Sequence, residues 1–151
     1  MLDDTDRRIL RQLLADPVAD SAELARRANV APATLWRRLD RLRARGILRG
    51  VEARIDWRAL GYAVEVSLRF TLDKTEPRAF DAFTAAARQV PEVIELQSFL
   101  GSVDVRLSVI ARDMGDWQRI YRDRILPLPH VTDIEPLMLV STIKDTGELA
   151  L

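Results

Sequence analysis

Residues 20 to 45 read DSAELARRANVAPATLWRRLDRLRAR: two short helices joined by a tight turn, the second with arginine along one side and leucine along the other. A protein builds a probe for the DNA major groove in this way. In the turn, small Ala25 and Ala28 stand where two helices must approach closely. Asn29 stands where the chain must reverse, and Asn is the non-glycine residue that best tolerates a left-handed backbone. Asp20, followed three residues later by Glu23, forms the acidic version of a capping box for the first helix. Pro32 falls in the first turn of the second helix, where no N–H is needed.

Placed on a helix at about 100° per residue, residues 32 to 45 align Leu35, Leu39 and Leu42 on one stripe, the face to be buried. Thr34, Arg38, Arg41 and Arg45 form a second stripe with Arg37 beside it, suited to phosphate contact and to bidentate reading of guanine edges. Trp36 lies on a third flank, either packed on a neighbouring helix or laid against sugar-phosphate. A charge run is usually a solvated face, but the distribution of charge points elsewhere. The chain is neutral overall, yet residues 1 to 54 hold 12 Lys plus Arg against 8 Asp plus Glu, and residues 55 to 151 hold 11 against 15. Within residues 26 to 54 there are nine arginines and no lysine, against Asp40 and Glu52 alone. Arginine to the exclusion of lysine indicates geometry-specific contact.

A third helix precedes this pair. Leu2, Ile9, Leu10, Leu13 and Leu14 recur at helical spacing after Asp3 and Asp4, either of which can cap, and Pro17 closes the segment. It completes a three-helix core, with Ile47 and Leu48 following a stop at Gly46. The expected organisation is a DNA-binding head at 1–54, a linker at 55–61 and a body at 62–151. A head of that size is marginal alone and leans on the body or on a partner subunit. With no cysteine, a start (MLDDTDRR) without the apolar core of a secretion signal, and no run of transmembrane length, the expected location is the cytoplasm, without a membrane partner.

Past residue 54 the hydrophobic period drops to two. Residues 62 to 72 alternate as a strand with one covered face. A helix follows from Glu76 and Pro77 to Pro91, with Phe80, Phe83, Ala86, Ala87 and Val90 inward. Strands over 92 to 100 and 103 to 111 flank a turn from Gly101 to Asp104. Asp113 or Asp116 caps another helix, with Trp117, Ile120, Tyr121, Ile125 and Leu126 on its apolar side, and a last strand runs from about Val131 to Lys144. The fold class is therefore α+β: a winged-type helix-turn-helix followed by a ferredoxin-like β-α-β-β-α-β domain with both helices on one face of an antiparallel sheet. Apolar residues on the other face would be an aggregation liability, so sheets or edges are expected to pair in a homodimer. Twofold symmetry would also present two recognition helices to two half-sites.

The leading Leu2-Asp3 pair, the helix from Thr34 to Leu42, Gly46-Ile47, Leu60-Gly61, Gly101-Ser102-Val103-Asp104 and Ile143-Lys144 together resemble the Lrp/AsnC family, the feast/famine transcription regulators, over nearly the full length. The resemblance implies a DNA-binding regulator that forms dimers and often assembles them into octamers. It also implies a small amino-acid-like effector bound between dimers at the Gly-x-x-Asp turn, here Leu100, Gly101, Ser102 and Asp104. In that role Gly101 lets backbone N–H groups approach a carboxylate, and Asp104 takes the effector's ammonium. Gly followed by Asp is also ordinary hairpin chemistry. The chain departs from the family at Ala31, where members commonly cap the recognition helix with Ser; a lost cap costs about 1 kcal/mol.

The expected DNA contacts are Thr34, Trp36, Arg37, Arg38, Arg41 and Arg45, with double-stranded DNA as partner. No catalytic residue, metal or cofactor is expected. The competing reading is an enzyme resembling siroheme decarboxylases, which share this architecture but use clustered histidine and arginine around a tetrapyrrole. His130 is the one histidine, so a general acid and metal ligands are lacking together. A third reading is a stand-alone effector-binding or scaffold protein whose head no longer contacts DNA, with Ala31 as its one hint.

Overall fold

The computed structural model describes residues 2 to 145, and the chain divides into two compact units. The first holds α1 (Asp4–Ala15), α2 (Ser21–Arg27) and α3 (Pro32–Ala44). Asp3 caps α1 in a full capping box: its carboxylate accepts from the Asp6 N–H at 2.9 Å, and the Asp6 carboxylate accepts from the Asp3 N–H at 3.3 Å. Asp20 caps α2 through the Glu23 N–H at 2.8 Å. The expected reciprocal bond is not made there, because the Glu23 carboxylate instead pairs with Arg26 and Arg27, both at 2.7 Å. Asn29 adopts φ 54°, as a reversal at that point requires,. Ile9, Leu24, Ala25, Ala28, Leu35 and Leu39 make the core of this unit.

Gly46 ends α3 at φ 68°, and among the described residues no strand follows before Val64. The end of the described chain belongs with this unit, since Arg54 pairs with Asp145.

The second unit, residues 55 to 142, contains β1 (Val64–Leu72), α4 (Ala79–Ala87), β2 (Val93–Ser98), β3 (Val105–Ala111), α5 (Met114–Ile120) and β4 (Val131–Met138). Its antiparallel sheet has the order β2-β3-β1-β4, the ferredoxin-like arrangement. Val66, Leu68 and Phe70 of β1 face Val105, Leu107 and Val109 of β3, all fully buried, and Phe83 of α4 and Trp117 and Ile120 of α5 cover them. The Phe70 and Phe83 rings meet at 4.8 Å and 57°, within the range of favourable tilted pairs.

Four expectations need correction. Phe80 is exposed, because α4 begins at Ala79 and its buried stripe is Ala79, Phe83 and Ala87 at i, i+4, i+8. Leu126 is exposed because α5 passes into a π turn over Tyr121–Ile125, closed by Leu126 N–H to the Tyr121 carbonyl at 2.9 Å; the extra residue rotates everything after it. The last strand stops at Met138 rather than near Lys144. The open sheet face is mostly polar rather than apolar, with Glu65, Ser67, Arg69 and Thr71 along β1 and Arg106 and Ser108 along β3, and with Ile110 and Leu137 as apolar members. Large exposed apolar side chains stand instead on the β2–β3 turn, at Phe99 and Leu100, and after β4, at Leu139 and Val140.

Candidate nucleic-acid and effector sites

The leucines of α3 turn inward as expected, with Leu35 and Leu42 fully buried. Its arginines do not form one outward ridge. Asp6 is completely buried, and its carboxylate accepts from Arg38 Nη1 at 3.1 Å and from Arg41 Nη2 at 2.6 Å. Arg38 also pairs with Asp3 and is only 19% exposed, whereas Arg41 is 46% exposed. The first turn of α1 thus clamps the middle of α3, and the two arginines it uses are those with the spacing of a reading stripe. The Arg38 hydrogen bond, together with the Asp6 N–H, holds the Asp3 carboxyl at about 2, below its ordinary 3.8.

Other head arginines are also engaged: Arg27 with Asp16, Arg43 with Asp40 and Arg54 with Asp145. Arg37 projects into solvent with no ion pair among the described residues. Thr34 is half-buried and Trp36 is 49% exposed, so Trp36 presents about half its surface to solvent. Arg45 is exposed at the end of α3. Ala31 offers no side-chain cap, so the first-turn N–H groups of α3 have no side-chain acceptor from that position. Sequence spacing put the arginines on the correct helix; it missed Asp3 and Asp6 as their partners, because that pairing spans more than thirty residues of chain.

In the second unit, the turn from Phe99 to Val103 together with Arg69 and Arg106 lines an open hollow of about 350 Å³. Leu100, Gly101 and Ser102, three of the four expected effector contacts, lie on its wall. Gly101 has φ 153°, a conformation that a side chain would strain. Asp104, the fourth, is turned away. Its carboxylate accepts from the Leu72 N–H at 2.8 Å and pairs with Lys74, and these two partners, the Leu72 N–H first, hold its pKa below the ordinary value. It borders a separate depression with Phe80 and Pro77. Asp104 therefore pins the turn to the end of β1 and leaves the hollow to the guanidiniums. Those arginines were not singled out from the sequence, though their places on the polar side of two alternating strands were visible.

His130 is exposed, adopts φ 60° and accepts through its carbonyl from the Asp73 N–H at 2.9 Å. Among the described residues no group of three His, Cys, Asp or Glu is placed to hold a metal, and the decarboxylase reading finds no histidine cluster to act through.

Residues 2–49 match the family described as winged helix-turn-helix DNA-binding, and residues 65–149 match the Lrp/AsnC ligand binding domain. The chain is 30% identical over 131 residues to the proline dehydrogenase transcriptional activator of Rhodobacter capsulatus, covering 87% of this chain and 85% of that protein. It is 27% identical over 150 residues to the leucine-responsive regulatory protein of Escherichia coli, covering 99% and 92%. Among solved structures, a transcriptional regulator of Neisseria meningitidis in complex with L-methionine superposes with a TM-score of 0.89 at 27% identity, covering 99% of this chain and 96% of that one. A feast or famine regulatory protein of M. tuberculosis, also complexed with L-methionine, gives 0.85 at 28%, covering 99% of both. A helix-turn-helix head, a ferredoxin-like body with a hollow at its Gly-x-x-Asp turn, and matches spanning both parts agree: this chain belongs to the Lrp/AsnC family of DNA-binding transcriptional regulators.

Proposed function

We propose that the chain acts in the cytoplasm as a homodimer, able to assemble further. The dimer sets two α3 helices on successive DNA half-sites and changes that contact when an amino-acid-like effector enters the hollow beside Gly101. The observation that carries the effector half is the hollow itself, with Leu100, Gly101 and Ser102 on one side and two guanidiniums on the other. The N. meningitidis and M. tuberculosis relatives bind L-methionine, which makes that amino acid the first probe. Dimerisation is supported by the two unpaired sheet edges, β2 and β4, and by the exposed apolar residues that follow β4,.

On the DNA side, Arg37, Thr34, Trp36 and Arg45 are the contacts favoured by their placement, while Arg38 and Arg41 hold α3 against α1. Arg41 keeps enough exposure to reach a phosphate as well. The chemistry proposed is binding, not catalysis. A gel-shift titration on the DNA upstream of the protein's own reading frame, at low salt where phosphate attraction is strongest, tests both halves. The expected result is a retarded complex whose midpoint moves on adding L-methionine. No retarded complex at any protein concentration overturns the DNA reading, and an unmoved midpoint overturns methionine as effector.

A further inference from the structure

The residues around the Gly101 hollow carry charge of one sign. Arg69 and Arg106 are direct cross-strand partners on β1 and β3, and like charges set opposite each other in a sheet repel. Following the register outward, Glu135, Arg69, Arg106 and Gln97 stand in one row across all four strands. Glu135 takes Arg69 from the β4 side at 3.4 Å, and Glu95 takes Arg106 Nη2 from the β2 side at 2.8 Å. Each carboxylate thus holds its own arginine, and among the described residues no carboxylate pairs with both guanidiniums.

Arg106 Nε is buried and makes no hydrogen bond. A buried donor left without a partner is costly and calls for an explanation, a bound ligand among them. Nε and Nη2 are the side-on pair with which a guanidinium grips a carboxylate; Glu95 holds Nη2, so a ligand carboxylate that takes both atoms must displace Glu95.

No acidic residue is among those that line the hollow. Asp104, the family's acid at this turn, is held on the other side by Lys74 and the Leu72 N–H. The remaining wall, Phe99, Leu100 and Val103, is apolar. An α-amino acid entering here finds partners for its carboxylate and for an apolar side chain. Among the residues of this chain that line the hollow, its ammonium meets two guanidiniums and no carboxylate.

We propose that Arg69 and Arg106 form a carboxylate clamp, and that the site reads a carboxylate bearing an apolar tail without requiring an ammonium, so that 2-oxo acids are ligands of the same hollow. This rests on the effector reading above and extends it: the chain would respond to the deaminated form of an apolar amino acid as well as to the amino acid.

Calorimetric titration of the full-length chain tests it with three probes that share one side chain: L-methionine, its 2-oxo acid and L-methioninol, which keeps the ammonium and lacks the carboxylate. The 2-oxo acid should bind at least as tightly as methionine, and methioninol about tenfold more weakly or worse, the loss typical of a charge-assisted contact. Arg69→Gln and Arg106→Gln should each weaken the 2-oxo acid about tenfold, with the thermal midpoint checked alongside. Methionine binding tenfold or more tightly than its 2-oxo acid, or methioninol matching methionine, overturns the clamp and leaves the effector reading standing. Binding of none of the three overturns the effector reading with it.

Discussion

Asp6 decides how α3 is presented. It closes the capping box of α1 from inside the core and receives Arg38 and Arg41 across the helix interface. Breaking a buried ion pair costs several kcal/mol when the orphaned charge stays buried. Here Arg41 already reaches water, so Asp6→Ala should cost about 2 kcal/mol, read as a lower denaturation midpoint of the first unit. Arg38→Ala should likewise lower that midpoint, whereas Arg37→Ala should leave it unchanged and weaken DNA binding. If Arg38→Ala weakens DNA binding with no loss of stability, Arg38 is a contact and not a clamp. Acid gives a separate handle on the same network. Folding depresses the carboxyl of Asp3 to about 2, chiefly through Arg38, and that of Glu23 to about 2 through Arg26 and then Arg27. A depressed carboxyl stabilises the fold at any pH above its unfolded value, and the contribution drains as pH falls through the folded value. The first unit should therefore lose stability from about pH 4 down to about pH 2, and Asp3→Asn should flatten that slope in an NMR-monitored acid titration of the α3 amides.

At the scale of elements, α3 and the sheet were legible because their patterns repeat within one element. Leu35, Leu39 and Leu42 at helical spacing, and the alternation from Val64 to Leu72, need no knowledge of any neighbour to be read. What escaped was set by neighbours or by irregularity. The π turn after Tyr121 adds a residue that no period announces, and it carried Leu126 from the predicted inner side to solvent. The direction of Asp104 depends on Lys74 and the Leu72 N–H, some thirty residues away, so Gly101-Ser102-Val103-Asp104 could be recognised as a turn without revealing which side its acid faces. The missing cap of α3 was readable at once, and its effect can be measured. Ala31 has φ −69° and ψ 148°, the extended geometry in which a serine hydroxyl accepts from the helix's first turn. Ala31→Ser should raise the stability of the first unit by about 1 kcal/mol. An unchanged or lowered melting midpoint would mean that those N–H groups are already satisfied in another way.

At the scale of the whole molecule, formal neutrality hides a chain whose first 54 residues carry the cationic excess. Many of those arginines are engaged internally, since Arg26, Arg27, Arg38, Arg41, Arg43 and Arg54 all have carboxylate partners. Arginine count therefore overstates the number of phosphates one head can neutralise. The apparent DNA association constant should fall linearly with salt on logarithmic axes, with a slope of about −0.9 per phosphate contact. Arg37 has no carboxylate partner among the described residues, so its loss removes one whole contact per head. If two heads occupy two half-sites, Arg37→Ala removes two contacts, and the slope should become shallower by about 2 rather than about 1. Fluorescence anisotropy across a salt series, on a duplex spanning both half-sites and on one cut to a single half-site, separates the cases. A change of about 1 on both duplexes would mean that a single head carries the binding and would overturn the placing of two α3 helices on two half-sites. A change of about 2 on the long duplex and about 1 on the short one would fix both the stoichiometry and the role of Arg37.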